Sequence, residues 1–600
     1  MKLKITISIV TFFFVTTIFS QRFLEKQLPS PDYLSSFFIG PLVKSTIHYG
    51  EKPSNFNGEV LLFNHGYIDL NQLFFTNNTF YEEAYNSGYQ VAFVATTRGK
   101  GMWKNGELLA EAIDIITEKY NVNQLSILAH SNGGKAAEVA MFSHNKSYKV
   151  KKVFALGTPF WGTYLADVSQ QWWFNWIWSK TGLNEGSATS TTYYCRDVVR
   201  PYFDSLSNNE PEKFYVFGAS GFSNGHTLLS PLMLTSGAIL YVVQGTNDGV
   251  TAYSSSLRPR ANFLFKKGEA KYDHIDVAFG QYVWKHIKPY LNDNLNVNLL
   301  PDTSNNSRNI ISSNYQIINS ENGYDQLVLD KHSKSVQLEV FHEKKAEDFT
   351  LYTNNMELKK AQMNRSNVFD QYCSRYVLKS SETAMIEGNS RFAAFAHFPD
   401  GPKMNYEVIK HENTVNISFE NIETPVKNIE VVAVIDKTNT LLGNKTSSET
   451  VVLSLDYESE SNSFILDTSS FSEGVYSTFI TANDSNFKRS LVSGFTIGNL
   501  SNQKMHDNTS EIQNLPILDI NLVTNTVYNS IDFINTSNLS INAIAMKIYT
   551  LNGKLVISEN LTANYDSFTS KGAVSGLSGG LYIVNIEYQN TKKTFKILKK

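Results

Sequence analysis

The stretch ILAHSNGGKAAEVA at residues 127–140 places one serine at the corner between an apolar run and a helical pattern. Ala129, Gly133 and Gly134 are small enough for a tight turn that leaves the Ser131 side chain standing free of its neighbours. A serine hydroxyl is a weak nucleophile at neutral pH and needs a base and an orienting carboxylate. The turn predicts a nucleophilic serine, and the alternative interpretation is a serine that caps the helix.

Further reactive side chains follow other apolar runs, and functional groups on a parallel sheet collect beyond the carboxyl ends of its strands. Asp248 follows LYVVQG at 240–245, which we interpret as a strand, and His274 lies in KYDHIDVAFG. We predict a catalytic triad of Ser131, Asp248 and His274. His274 would take the serine proton, and Asp248 would hold the imidazole in the required tautomer.

Several residues compete for these roles. His226 in SNGHTLL is an alternative base, and Asp273 and Asp276, which flank the histidine, are alternative acids. Asp248 itself precedes a glycine, and Asp-Gly is common in turns.

An acyl-transfer site also needs donors for the oxyanion. We expect these to be the backbone N–H groups of Asn132 and Tyr67, which stand next to the nucleophile and after the first apolar run. His65 is expected to shape that loop and to contribute to substrate binding.

Between Val60 and Pro289, short apolar runs alternate with helical patterns, which predicts a parallel sheet covered by helices. The predicted strands are VLLFN (60–64), VAFVA (91–95), LSILA (125–129), VFALG (153–157), FYVFG (214–218) and LYVVQG (240–245). Helical spacing recurs between the second and third runs, at Leu108, Leu109, Ala112, Ile113 and Ile116. We predict an α/β domain over residues 21–300.

Five motifs in this order, NHGY, AHSNGG, LGTPFWGTYLAD, TNDGV and DHID, resemble those of the α/β-hydrolase superfamily, and specifically its bacterial triacylglycerol lipase branch, over residues 55–285. The resemblance implies an α/β-hydrolase sheet flanked by helices and a carboxylester hydrolase that works through an acyl-serine. The chain order of nucleophile, acid and histidine agrees with it. Ala129 replaces the first glycine of G-x-S-x-G, and alanine is small enough for that position.

The resemblance also raises a metal site. In that lipase branch an aspartate two residues after the catalytic histidine binds structural calcium, and Asp276 occupies this position. Its usual partner, an aspartate upstream of the triad acid, is not evident, and one carboxylate cannot hold a calcium ion. We expect no cofactor, with structural calcium as the alternative.

An insertion at about 163–213 contains QQWWFNWIWSK at 170–180. On a helix, Trp172, Trp173 and Trp176 share one face, which suits a lid or an acyl-chain pocket that binds substrate. The alternative is an ordinary buried tryptophan cluster.

The chain changes character after residue 300, because VQLEVF at 336–341 alternates with period two and helical periodicity fades. We predict a β-rich module at 301–405, an immunoglobulin-like β-sandwich at 406–500 and a linker at 501–516. The sequence does not rank carbohydrate binding, substrate binding or spacing as the role of residues 301–500.

Residues 517–600 are predicted to form a separate β domain. Asn552-Gly553 stands between two strand-like runs and predicts a hairpin, and a second hairpin ends the chain. IAMKIYTLNGKLV, LSGGLYIVNI and KTFKILKK resemble the C-terminal sorting domain of the type IX secretion system, although the opening LPILDINLVTN departs from the family pattern. The resemblance implies export by that machinery, and a small β-sandwich without an address function is the alternative.

Residues 1–20 carry Lys2 and Lys4, an apolar run and then Ser20, which predicts a signal peptide rather than a membrane anchor. We therefore expect a protein exported through the periplasm and secreted or held at the cell surface. Two cysteines, Cys195 and Cys373, would pair or remain free thiols.

The net charge of −3 with 18% charged residues provides no broad basic field and argues against a nucleic-acid partner. The expected partners are a lipid or other ester substrate, a lipid interface and the secretion machinery, with the protein itself a monomer. The sequence favours a triacylglycerol lipase. An esterase, polyester depolymerase or amidase is the rival among enzymes, and an adhesion protein with an inert hydrolase domain is the rival from another class.

Overall fold

The computed structural model describes three stretches of the chain, each with internal gaps. The first is 23–292 without 29–44, 67–77, 97–100, 172–173, 175–183 and 228–229; the second is 310–498 without 321–323, 328–332, 343–348, 354–355, 358–372, 380–383, 389–391 and 439–449; the third is 520–599 without 523–525, 536–540, 551–554, 565–566, 573 and 589–590. Two compact units result, residues 1–501 and 502–600. No helix in these described parts is long and apolar enough to cross a membrane.

The first stretch forms an eight-stranded sheet in the order β1-β2-β4-β3-β5-β6-β7-β8. Its strands pair in parallel except β2 with β4. The strands are β1 Leu24–Gln27, β2 Thr46–Tyr49, β3 Val60–Asn64, β4 Gln90–Ala95, β5 Leu125–His130, β6 Val150–Leu156, β7 Phe214–Phe217 and β8 Asn262–Phe263. The first five predicted strands are confirmed, and the α/β fold with them. Central strands β3, β4 and β5 are buried along their whole length, because helices cover both faces.

The sheet separates the apolar core into two clusters, one on each of its faces, and the helices pack on both faces. They are α1 Phe80–Asn86, α2 Met102–Tyr120, α3 Gly133–Glu138, α4 Tyr164–Ser169, α5 Asn184–Ala188, α6 Thr192–Tyr194, α7 Arg200–Ser205, α8 Pro231–Gln244, α9 Tyr253–Ser256 and α10 Gly280–Asn292. Helix α3 continues as a π-helical turn over Val139–Ser143, and α6 and α7 are joined by another over Cys195–Val199. Short 3₁₀ turns lie at Ser147–Lys149, Pro211–Lys213, Asp276–Ala278, Val426–Asn428 and Val574–Gly576. The predicted crossover helix is confirmed as α2.

The prediction of a strand at 240–245 is wrong, because residues 240–244 form the end of α8. Pro231 stands in the first turn of α8, and Gly245 follows its end with a φ of 77°. These are the usual start and stop residues of a helix, so the sequence did contain the signal. Asp248 therefore follows a helix, not the last strand.

The second stretch contains two β-sandwiches. The first packs the sheet β10-β17-β12-β15 against β11-β16-β13-β14, and the second packs β22-β23-β19-β18-β9 against β21-β20-β24-β25. The strands are β9 Ile310–Ser313, β10 Tyr315–Ser320, β11 Tyr324–Leu327, β12 Ser335–His342, β13 Phe349–Thr353, β14 Met356–Glu357, β15 Cys373–Lys379, β16 Ala384–Gly388, β17 Phe392–His397, β18 Lys403–Ile409, β19 Thr414–Glu420, β20 Glu430–Thr438, β21 Thr450–Ser454, β22 Asp456–Glu458, β23 Ser463–Asp467, β24 Gly474–Asn483 and β25 Lys488–Ile497. The predicted split between residues 405 and 406 falls inside β18, which pairs with β9.

The two sandwiches, residues 310–498, are called the β region below, and they pack directly on the α/β domain. One buried apolar cluster contains residues of both, namely Tyr164, Val168, Phe174, Ile239, Leu240, Tyr315, Ile317, Ala393, Phe395 and Val492. Polar contacts flank this cluster: Gln171 Nε2 donates to Ser477 Oγ at 2.6 Å, and Lys410 Nζ pairs with Asp197 Oδ1 at 2.8 Å. The α/β domain and the β region thus share a core.

Cys195 is a free, buried thiol in the α/β domain, so the alternative of a disulfide to Cys373 is not realised. Burial raises the pKa of this thiol. The side chain of Cys373 lies outside the described residues.

The second unit has its own apolar core between two sheets, β26-β28-β31 and β27-β33-β32-β29-β30. Its strands are β26 Ile520–Leu522, β27 Thr526–Val527, β28 Ser530–Asn535, β29 Ala543–Thr550, β30 Leu555–Thr562, β31 Ser567–Lys571, β32 Gly580–Tyr588 and β33 Thr591–Lys599. Strand β29 pairs antiparallel with β30, and β32 pairs antiparallel with β33, as predicted for the two hairpins.

Candidate active site

Ser131 lies between the end of β5 and the start of α3. Its φ is 55°, a left-handed conformation that is costly for a residue with a side chain and that recurs at nucleophile turns. The Ser131 N–H donates to the Leu156 carbonyl of β6 at 2.8 Å, which fixes the strained turn to the sheet. The predicted tight turn is therefore present, with Ser131 at its corner.

His274 and Asp248 form a hydrogen-bonded pair, with His274 Nδ1 2.8 Å from Asp248 Oδ2. The other carboxylate oxygen of Asp248 accepts the backbone N–H groups of Val250 at 2.9 Å and Thr251 at 2.6 Å. Because a carboxylate only accepts, the proton on the ring nitrogen stays at Nδ1, and Nε2 is left as the basic atom. Both side chains are almost fully buried.

Two observations place this pair near Ser131, at the carboxyl-terminal ends of β5 and β6. A Cβ on Gly157, the residue after Leu156, would lie 2.9 Å from Asp248 Oδ2 and 3.2 Å from His274 Nδ1. The ring of His130, which directly precedes the serine, lies 4.8 Å from the His274 ring between centroids. No hydrogen bond among the described residues joins the Ser131 hydroxyl to His274, and such contacts often tighten only when substrate binds.

His130 directly precedes Ser131, and the sequence predicts no role for it. Its Nε2–H donates to the His274 carbonyl oxygen at 2.8 Å. Burial lowers the pKa of His130 well below its usual value, and the neighbouring His274 lowers it further. A neutral His130 therefore holds the backbone of His274 without adding a positive charge beside it.

Asn132, the first predicted oxyanion donor, follows Ser131, and its N–H has no acceptor among the described residues. A Cβ on Gly66 would lie 2.9 Å from both the Asn132 nitrogen and the Ser131 Oγ, so the backbone at residue 66 closely approaches the two groups. Tyr67, the second predicted donor, lies outside the described residues.

His65 is buried and holds this loop through both ring nitrogens. Its Nε2 accepts the Thr96 N–H at 3.2 Å, so the ring proton is on Nδ1, which donates to the Gly66 carbonyl at 2.6 Å. This arrangement suits the loop-shaping role expected for His65.

The competing residues have other partners. Asp276 is fully buried and accepts the His226 N–H at 3.0 Å and lies 2.8 Å from the His226 ring nitrogen. Asp273 accepts the N–H groups of Ile275 and Asp276 and so starts the 3₁₀ turn. Burial raises the pKa of Asp273 to about 6, and the charge of Asp276 adds to the effect.

These contacts also bear on calcium. The carboxylate of Asp276 is occupied by His226, and no group of three or more His, Cys, Asp or Glu in the described parts of the chain could hold a metal ion.

The predicted lid tryptophans Trp172, Trp173 and Trp176 lie outside the described residues. Phe174, within the same segment, is buried and packs edge-on against Phe341 and Phe395 of the β region, with ring centroids 5.7 and 5.9 Å apart. The insertion therefore contacts the β region at this point.

Comparison with known proteins gives two matching families. Residues 62–190 match a family described as an alpha/beta hydrolase of unknown function (DUF915), and residues 523–600 match the secretion system C-terminal sorting domain. The first match covers the oxyanion loop, the serine turn and α4. The first domain has the α/β-hydrolase fold. The second match confirms the predicted sorting domain and indicates an exported protein, at the cell surface or secreted.

A solved structure with a TM-score above 0.5 supports this fold. The chain is similar to the Bacillus licheniformis lipase BlEst2 in propeptide form, with a TM-score of 0.59 and 18% sequence identity over 76% of this chain and 97% of that chain. The mature form of that lipase has a TM-score of 0.37 and 24% identity over 41% of this chain and 97% of that chain. The metagenomic carboxyl esterase MGS0156 has a TM-score of 0.31 and 15% identity over 39% and 76%. The search of curated proteins finds no match.

The similarity to the propeptide form extends past the α/β-hydrolase domain, because 76% of the chain is more than residues 1–300 could supply. Part of the β region therefore shares its fold with that structure as well.

Proposed function

We propose that the α/β-hydrolase domain cleaves carboxylic esters with Ser131 as nucleophile. The observation that carries the proposal is the buried pair of His274 Nδ1 and Asp248 Oδ2, 2.8 Å apart, at the same rim as a serine held at a φ of 55°. An adhesion protein with an inert hydrolase domain would have no need to keep this strained and buried arrangement.

In this mechanism the Ser131 Oγ attacks the ester carbonyl carbon while His274 Nε2 takes its proton. The carbonyl electron pair moves to oxygen, and the Asn132 N–H stabilises the resulting oxyanion. His274 then gives its proton to the leaving alcohol, which leaves an acyl-serine. In the second half of the reaction, water deprotonated by His274 attacks the acyl-serine carbonyl carbon. His274 then returns the proton to the Ser131 Oγ as the carboxylic acid is released. Asp248 stabilises the imidazolium formed in each half.

A triacylglycerol is the substrate class we favour. The motifs over residues 55–285 resemble bacterial triacylglycerol lipases, and BlEst2, with which the chain shares its fold, is a lipase. Ser131 and His274 are only 4% and 2% exposed, so the reaction would take place away from bulk water.

Ser131→Ala tests the mechanism. We expect the turnover of p-nitrophenyl butyrate to fall by at least about 10⁴-fold, because the nucleophile is removed. Labelling by a fluorophosphonate probe should also be lost. Ser126→Ala is the matched control and should keep both signals, because Ser126 is a buried serine of β5, the strand that precedes Ser131. Ester hydrolysis by a folded Ser131→Ala protein would refute the assignment.

The wild-type protein tests the substrate class. Cleavage of butyrate esters without any cleavage of emulsified trioctanoin would identify an esterase instead of a lipase.

For the β region we propose a propeptide-like role in which it restrains the opening of the hydrolase site. The structure similar to this chain is a lipase in propeptide form. Here the β region buries Phe174 of the insertion and also binds α8, where the Tyr315 hydroxyl donates to the Ile239 carbonyl at 3.3 Å. A module that only bound a substrate far from the active site would not need to share a core with the α/β-hydrolase domain.

A protease site inserted at residue 301 tests this role in the full chain. Cleavage of the folded protein should raise the turnover of emulsified triacylglycerol several-fold relative to the uncut protein, because only the shared core then holds the β region to the α/β-hydrolase domain. The same insertion without protease is the control. Unchanged turnover after complete cleavage would contradict a restraining role.

We further propose that residues 1–20 are a signal peptide and that the chain passes through the periplasm, where the sorting domain delivers it to its secretion machinery.

A further inference from the structure

Lys135 is a fully buried lysine on α3, four residues after the proposed nucleophile. Burying an ammonium group is costly unless its donors find partners. Its Nζ donates to the Thr189 carbonyl at 2.9 Å and to the Ser190 Oγ at 2.8 Å. Burial lowers the pKa of Lys135, and the nearby Cys195 and Glu138 oppose that shift. A lysine in this position needs a reason beyond packing, because a methionine would fill the space without the cost.

Ser190 continues the contact toward the catalytic turn. Its hydroxyl donates to the Asn132 side-chain oxygen at 2.8 Å. A hydroxyl has one proton, so an oxygen that accepts from Lys135 can direct that proton at Asn132. The three groups form a buried chain in which each donates to the next, from Lys135 through Ser190 to Asn132.

Asn132 is the residue whose backbone N–H is the proposed oxyanion donor. The peptide that carries this N–H also follows Ser131, whose left-handed φ of 55° stores strain. Relaxation of that strain would turn the peptide and move the N–H. A side chain fixed at Asn132 opposes this rotation, and stabilisation of an oxyanion depends on donors that are held in place before the reaction.

We propose that Lys135 and Ser190 are positioning residues for the oxyanion donor at Asn132. The inference rests on the proposed ester hydrolase function. It adds a role for two residues that touch neither substrate nor reacting atoms and that lie 4 and 59 positions after the nucleophile in the sequence.

Ser190→Ala in the full chain is the test, with p-nitrophenyl butyrate as substrate and a trifluoromethyl ketone as an inhibitor that forms an oxyanion on Ser131. We expect kcat to fall about 10-fold with KM unchanged, since complete loss of an oxyanion donor costs about 10²–10³. The inhibition constant of the ketone should rise by a similar factor. Ser190→Thr, which keeps the hydroxyl, should restore both values.

Ser187→Ala is the matched control, because Ser187 is a buried serine of the same segment whose Oγ accepts from Gln170 Nε2. It should leave kcat and the ketone inhibition unchanged. Lys135→Met is a second variant and should resemble Ser190→Ala.

A wild-type kcat and ketone affinity in folded Ser190→Ala would overturn the positioning role while leaving the hydrolase function intact. Equal losses in Ser190→Ala and Ser187→Ala, without rescue by threonine, would also overturn it by showing a merely structural effect. Absence of ester hydrolysis by the wild-type protein would refute the proposed function and the positioning role together.

Discussion

At the scale of single residues, the proposed active site contains two kinds of side chain. Some are the proposed catalytic groups, and others hold those groups in position. His130 is the clearest case, since its Nε2–H donates to the His274 carbonyl at 2.8 Å and its ring packs on the His274 ring. It remains neutral because burial lowers its pKa. His274 can then become protonated during the reaction without a like charge beside it.

His130→Phe keeps a ring at this position and removes the donor. We expect kcat for p-nitrophenyl butyrate to fall about 5-fold, because a lost hydrogen bond is worth about 1 kcal/mol and the His274 backbone is released. His130→Gln, which can still donate, should recover much of the loss. Steady-state kinetics measures both variants, and a His130→Phe enzyme with the wild-type kcat would show that the bond does not support catalysis.

The sequence could single out Ser131, Asp248 and His274 as candidates, because their types, order and surrounding small residues are local signals. It could not predict the supporting contacts. The bond from His130 to residue 274 spans 144 positions, and the bond from Ser190 to Asn132 spans 58. Nothing in the neighbouring residues marks such partners, since they meet only through the tertiary fold.

At the scale of elements, α4 is tied to α6 by one buried carboxylate. Asp167 accepts the Thr192 backbone N–H at 2.7 Å and the Thr192 hydroxyl at 2.5 Å. Burial raises the pKa of Asp167 to about 8, although the Thr192 hydrogen bonds and Arg196 oppose the shift. The folded protein therefore keeps the Asp167 proton at neutral pH, whereas the unfolded chain releases it near pH 4.

This difference predicts a pH dependence of stability. The folded state binds the proton more tightly than the unfolded chain. The contribution of Asp167 to the free energy of unfolding is therefore fully present below about pH 4 and is lost as the pH rises toward 8. Asp167→Asn removes the titration, and its Tm should decline less than that of the wild type between pH 5 and pH 8. Thermal unfolding of both proteins in a pH series measures the difference. Parallel Tm curves would contradict a raised pKa at Asp167.

The elements themselves were predictable where the pattern had one interpretation. The runs of β3 to β7 are short and apolar, and the structure confirms them as strands. The run at 240–245 is equally apolar but belongs to a 14-residue helix, because its preceding residues also suit a helix that packs on the β region. Periodicity alone cannot separate a buried strand from a buried helix segment.

At the scale of the whole molecule, the α/β-hydrolase domain and the β region belong to one compact unit and share a buried apolar cluster. Phe395 and Val492 of the β region are fully buried against Tyr164 and Ile239 of the α/β-hydrolase domain. The sequence predicted the sandwiches but not this contact, because a strand that alternates apolar and polar residues does not reveal which surface its apolar face covers.

The sorting domain is a separate unit with its own core, built around Met546, Ile548, Val584 and Ile586. Deletion of residues 523–600 should therefore leave the specific activity and Tm of the remaining chain within error of the full protein, since no residue of the proposed site lies in that unit. In a host with the matching secretion machinery, the truncated enzyme should remain inside the cell envelope, which cell fractionation and activity assays measure. Lys547→Ala, which removes only the salt bridge to Glu587, is the control and should be exported normally.

Normal release of the truncated enzyme would contradict the role of residues 523–600 as a secretion signal. Loss of its specific activity would instead show that the α/β-hydrolase domain needs the second unit, against the division of the chain into two independent units.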